Sequence, residues 1–187
     1  MQIKNKKIQW IARTAIMIAL LLILQVSTAS LGQYVTGSCV NFTLAMSVFV
    51  GGFSCGIVVA LLSPLFAFLL GIGPAFIMIT PCISAGNLAL VLVLSLLWRK
   101  LVNKSKNLVF PLISVLAGAI AKFLVLYFLV VKLVLPTLGL PEGKIAVMSA
   151  MFSYPQLVTA IIGGVLATIL AMRLAKSSLK QYFESSN

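Results

Sequence analysis

The stretch "LAGAIAKFLVLYF", Leu116–Phe128, decides how the rest of the chain is read. Apart from Lys122, every residue in it is apolar, aromatic or glycine. It lies inside an oily run from about Leu108 to about Leu135. As a helix rising about 1.5 Å per residue, that run is roughly 40 Å long, more than the ~30 Å hydrocarbon core of a bilayer. A surface helix of a soluble domain would instead show one polar face. The run is therefore read as a membrane helix, and its lysine as a charge that needs a physical reason to be there.

Working outward, the whole chain shares this character. Of its 187 residues 61% are hydrophobic and only 9% are charged. A soluble domain carries about 25% charged residues, so a soluble globular class is excluded and an all-α integral membrane protein is expected. Six apolar segments can be drawn, at about 8–29, 39–50, 54–71, 81–98, 108–135 and 145–172, forming one domain over 1–187. The second is too short to cross upright, so it must be tucked among the others or extended by its loop.

The charges give the orientation. Fourteen Lys and Arg face two acids and no His, a net +12. Eleven of the basic residues fall in three clusters: Lys4, Lys6, Lys7 and Arg13; Arg99, Lys100, Lys104 and Lys106; Arg173, Lys176 and Lys180. Basic clusters at span ends mark the cytoplasmic side and suit anionic lipid. Six spans with both termini cytoplasmic put all three on one side, so the charge speaks for a bilayer and against nucleic acid. The start, "KNKKIQWIARTAIMIALLLILQVSTAS", resembles a signal peptide, but its apolar run is long and begins around Trp10 and Arg13, so a retained first helix is expected.

Much chemistry is missing. Glu142 and Glu184 lie outside the predicted spans, and without His there is no carboxylate pair for acid–base work and no metal-ligand set. Cys39, Cys55 and Cys82 form no C-x-x-C motif and read as small apolar filler. Intramembrane acids or histidines that could relay protons are absent from the spans. "GLPEGK", Gly139–Lys144, is one residue short of a phosphate loop and has Ile145 where Ser or Thr would hold magnesium. No cofactor is expected in this chain, no enzymatic activity either, and energy for active transport would come from a partner.

The remaining polar side chains gather toward the predicted outer face. The first external loop, "STASLGQYVTGSCVN", offers Gln33, Tyr34 and Asn41 among glycines. Asn87 lies early in the fourth helix, placed either to cap a neighbouring helix or to meet a ligand. Tyr154 and Gln156 flank Pro155 at the start of the sixth, where an aromatic and an amide beside freed backbone suit a heterocyclic ligand or an interfacial anchor. Lys122 is 15 residues beyond Asn107, so roughly 22 Å into the membrane. With no carboxylate in the bundle it can snorkel outward, bond structurally, shed its proton, or meet an anionic group brought by a ligand. Small residues four apart, Ala15/Ala19, Gly52/Gly56, Ala117/Ala121, Ala160/Gly164 and Ala167/Ala171, predict close helix contacts.

This layout resembles a known family. The basic N-terminus with "WIARTAIMIALLLIL", the Gly-rich loop, the short second helix and "GGFSCGIVVALLSPLFAFLLG" resemble the substrate-binding S components of energy-coupling-factor (ECF) vitamin transporters, over nearly the whole chain. The resemblance implies a subunit of the bacterial cell membrane that binds a vitamin on the outer side. Its partners would be a transmembrane coupling subunit and two cytoplasmic ATPases. It implies that Ala15 and Ala19 face the coupling subunit, and that the ligand sits near Gln33, Tyr34, Asn41, Asn87, Lys122, Tyr154 and Gln156. A pantothenate-like acid would suit Lys122, and a neutral cobalamin precursor is the other candidate. A self-contained channel or facilitator is the alternative; the apolar inner halves count against it, and a membrane enzyme lacks acids and His.

Overall fold

The computed structural model describes residues 5–74, 76–101 and 109–176, and all regular structure among them is helical. The expectations placed on Lys4, on the loop lysines Lys104 and Lys106, on Leu108 as the start of the fifth segment, and on Lys180 and Glu184 lie outside these residues. The helices are α1 (Lys6–Thr28), α2 (Gln33–Leu69), α3 (Thr80–Leu101), α4 (Val109–Leu126), α5 (Glu142–Met151) and α6 (Tyr154–Lys176). Among the described residues, five helical stretches are long and apolar enough to cross a membrane: Lys6–Leu31, Gln33–Leu69, Ile77–Trp98, Val109–Leu138 and Glu142–Leu174.

The second of these is not one rod. A straight helix of its 37 residues would be about 55 Å long, nearly twice the hydrocarbon core. It breaks at Gly52, whose φ of 78° and ψ of −177° are open only to glycine. The chain then doubles back. A Cβ on Gly56 would sit 2.9 Å from Val48 Cγ2, although residues eight apart on a straight helix are about 12 Å apart. Arg13 Nη1 donates to Val50 O at 3.3 Å, and Gln25 Nε2 donates to Ser63 O at 3.3 Å. Twelve residues farther along α1 thus meet thirteen farther along α2, so the limb after Gly52 runs parallel to α1 and the limb before it runs back. Two segments expected at 39–50 and 54–71 correspond to these limbs.

The first limb begins earlier than the sequence suggested. Residues 33–41, expected as a glycine-rich external loop, are helical, and only a 3-10 turn (Ala29–Leu31) and Gly32 separate α1 from α2. The polar side chains permit this by bonding back to their own helix: Ser38 Oγ to Tyr34 O at 2.7 Å, Asn41 Nδ2 to Gly37 O at 2.9 Å, Thr43 Oγ1 to Cys39 O at 3.0 Å. The last expected segment, 145–172, is two helices with a break at Phe152–Ser153. Pro155 has no N–H to continue a helix from α5, but is tolerated in the first turn of α6.

Two apolar clusters lie one beyond the other along the bundle. The larger joins Leu44, Ala45, Val59, Leu90, Val91, Leu94, Val115 and Ala167, between α2, α3, α4 and α6. The smaller joins Ile79, Leu126, Val130, Leu135 and Phe152, at the end that carries the α1–α2 and α5–α6 junctions. Beyond Leu126 the helix widens into a π-helical stretch, Tyr127–Val134, a rare form that often accompanies functional sites. α1 buries Thr14, Met17, Leu21 and Gln25 against α2 and turns Ile11, Ala15, Ile16, Ala19, Ile23 and Val26 outward. That outward face is apolar, with the small Ala15 and Ala19 among larger side chains, and suits lipid or another membrane helix.

Candidate functional site

Between the two apolar clusters lies a buried polar one. Lys122 on α4 is 3% exposed, so it does not snorkel. Its Nζ donates to Asn41 Oδ1 on α2 and to Asn87 Oδ1 on α3, each at 2.7 Å. Asn41 Nδ2 donates in turn to Gly37 O at 2.9 Å and to Thr159 Oγ1 on α6 at 3.2 Å. Asn41, Asn87 and Thr159 are each 1% exposed. The Lys122 amino group thereby ties four helices together through short hydrogen bonds. Three residues singled out from the sequence as separate candidates, Asn41, Asn87 and Lys122, are in direct contact. Thr159 completes the cluster and was not anticipated, since a lone threonine in "LVTAIIGG" carries no pattern of its own.

The backbone allows this approach where it is thinnest. Gly163, one turn past Thr159, faces the α2 backbone so closely that a Cβ there would lie 2.5 Å from Phe42 N and 2.9 Å from the Asn41 carbonyl carbon. On its neighbour Gly164 a Cβ would meet Val115 Cγ1 at 2.5 Å. The glycine pair lets α6 touch α2 and α4 together, which brings Thr159 within reach of Asn41. Gly86 does the same for α3 and α4: a Cβ there would be 2.6 Å from Leu126 Cγ, one turn beyond Lys122.

The orientation of both amides follows from the ammonium. A protonated lysine has only donors, so it fixes the oxygen of each asparagine toward itself. For Asn87 this leaves Nδ2 buried with no hydrogen-bond partner. When protonated, Lys122 has three N–H donors, of which two are engaged by the amide oxygens. An ammonium at membrane depth costs roughly 2.5–3.5 kcal/mol or more. Neutral amide oxygens solvate it but supply no counter-charge. Of the two acids in the sequence, Glu142 is exposed at the start of α5 and Glu184 lies outside the described residues.

The remaining predicted residues form a second group, at the break between α5 and α6. Gln33 Nε2 donates to Met151 O at 2.6 Å and Gln156 Nε2 donates to the same oxygen at 3.1 Å. That carbonyl is available because the break ends α5. The Tyr34 and Tyr154 hydroxyls approach each other on the same rim, and both rings are exposed, at 47% and 62%. Tyr34, Gly37 and Asn41 follow one another down one face of α2, so the rim leads along the helix to the buried cluster.

A family model described as "ECF transporter, substrate-specific component" matches residues 9–175. The chain belongs to this family. No curated protein and no solved structure matches it. An ECF substrate-specific component is a multi-pass membrane protein and a transport subunit rather than an enzyme. Membership implies a small-molecule substrate and association with the coupling and ATPase modules of the transporter.

Proposed function

We propose that this chain is the high-affinity substrate-binding subunit of an ECF-type importer in a bacterial cell membrane, and that its cargo is a vitamin or related micronutrient. It crosses the membrane six times with both termini cytoplasmic. The doubling back at Gly52 supports the count, and the three basic clusters support the orientation. The ligand enters past Gln33, Tyr34, Tyr154 and Gln156 and is held at Lys122, Asn87 and Asn41. The observation that carries this reading is the buried Lys122–Asn41–Asn87 cluster, a cation with a vacant donor beside it in a protein of a substrate-specific family.

The transmembrane coupling subunit packs on the outward face of α1, where Ala15 and Ala19 are both exposed. Two cytoplasmic ATPases hydrolyse the ATP, and this chain needs no cofactor of its own. The apolar cluster of Leu90, Leu94, Val115 and Ala167, below Lys122, blocks a continuous polar path and speaks against a self-contained channel. The test is reconstitution into liposomes. With coupling subunit and ATPases present, substrate should accumulate inside only when ATP is supplied. Equal flux through the chain alone would support the channel instead.

A further inference from the structure

The buried cluster specifies more than a ligand site: it specifies the group that the ligand presents. We infer that the cargo is a carboxylic acid whose carboxylate bridges Lys122 Nζ and Asn87 Nδ2; this rests on the substrate-binding reading above. The unspent hydrogen-bonding capacity points one way. Asn87 Nδ2 is buried and without a partner, and it belongs to the amide whose oxygen Lys122 already holds at 2.7 Å. The vacant amide donor and, on the protonated lysine, the third N–H therefore belong to groups already in direct contact, and the two oxygens of one carboxylate match them in number. Reversing the Asn87 amide would set its NH2 against the ammonium, so the vacancy cannot be relieved by a flip.

Charge decides between acceptors. A water or a neutral carbonyl could satisfy Asn87 but would leave the Lys122 charge uncompensated at membrane depth. A carboxylate supplies two acceptor oxygens and the counter-charge that the buried cluster itself lacks. Asn41 has no such vacancy, because its Nδ2 is spent on Gly37 and Thr159. The geometry thus assigns Asn87 the specificity for acid over neutral analogue and Asn41 a positioning role. One and two turns farther out, Leu126 and Val130 are buried in the smaller apolar cluster.

The test uses the full chain purified in detergent, with the anion-exchange-retained and flow-through fractions of yeast extract as probes, read as a shift in unfolding temperature. Wild type should be stabilised by the retained fraction, and the shift should vanish when carboxylates in that fraction are methyl-esterified. Once the bound acid is identified by mass spectrometry, its methyl ester should bind at least ~100-fold more weakly. Asn87→Leu should lose the shift. Asn87→Asp provides a variant that pairs with Lys122 internally. It should fold, and it should also fail to respond, because its own carboxylate occupies the place of the ligand's. Stabilisation by the flow-through fraction would overturn the inference and leave the substrate-binding reading standing. A shift that survives esterification, that persists in Asn87→Asp, or that sodium chloride or phosphate reproduces would also overturn it. Failure of both fractions, together with no ATP-dependent uptake in the reconstituted complex, would remove the substrate-binding reading itself.

Discussion

The two asparagines that hold Lys122 look equivalent in sequence but not in structure, and their replacement should show it. Asn41→Leu removes a charge-assisted bond worth about 1.5–3 kcal/mol and strips Thr159 of a partner worth about 1 kcal/mol more. The expected cost is roughly 2–4 kcal/mol. Asn87→Leu removes an equal bond to Lys122, but it also removes the vacant Nδ2, whose burial costs about 1–3 kcal/mol. Its net cost should be roughly 0–2 kcal/mol, always below that of Asn41→Leu. The triple variant Lys122→Met, Asn41→Leu, Asn87→Leu replaces the ion and both its partners by apolar groups of similar size. It should be near wild type in the absence of ligand, far from the sum of the single changes. Unfolding free energies in a mixed detergent series, read by circular dichroism, give all four values. The reasoning is refuted if Asn87→Leu costs as much as Asn41→Leu, or if the triple variant is additive.

Other consequences follow from the helix contacts. Gly163→Ala should push α6 off the α2 backbone and cost about 2 kcal/mol or more, because backbone atoms rather than flexible side chains stand in the way; an unfolding titration that detects under 0.5 kcal/mol would contradict this. Gly52→Ala should cost about 1–3 kcal/mol from its positive φ alone, with ligand affinity in the folded fraction unchanged. Ala15→Trp should abolish co-purification with the coupling subunit while the isolated chain binds ligand as before, since Ala15 faces away from the bundle.

Much of this was legible in the sequence, for reasons specific to membranes. Apolar runs must be helices there, because no other open structure satisfies the backbone, so the spans could be drawn from composition. Lys122 stood out because charge is costly in lipid. What the sequence hid is where polarity is compatible with helix. Gln33–Asn41 reads as a loop by its glycine and hydroxyls, yet Ser38 and Asn41 fold their polar atoms onto their own helix. Once this first limb is helical, Asn41 moves from a surface loop to the buried centre, beside Lys122. Thr159 and Gly163 were invisible for a related reason: each matters through contacts with α2 residues at least 118 positions away in the chain, and no local spacing encodes that. The π-helical stretch after Leu126 likewise has no local signature in "YFLVVKLV".

The central claim, that the Lys122 cluster is where substrate is held, is tested most directly by purifying wild type and Lys122→Met side by side from the same membranes and measuring bound small molecules by mass spectrometry. The account predicts one organic molecule at near-equal stoichiometry with wild type, and its absence from a Lys122→Met protein of unchanged helix content. The same molecule at the same occupancy in both proteins would contradict it.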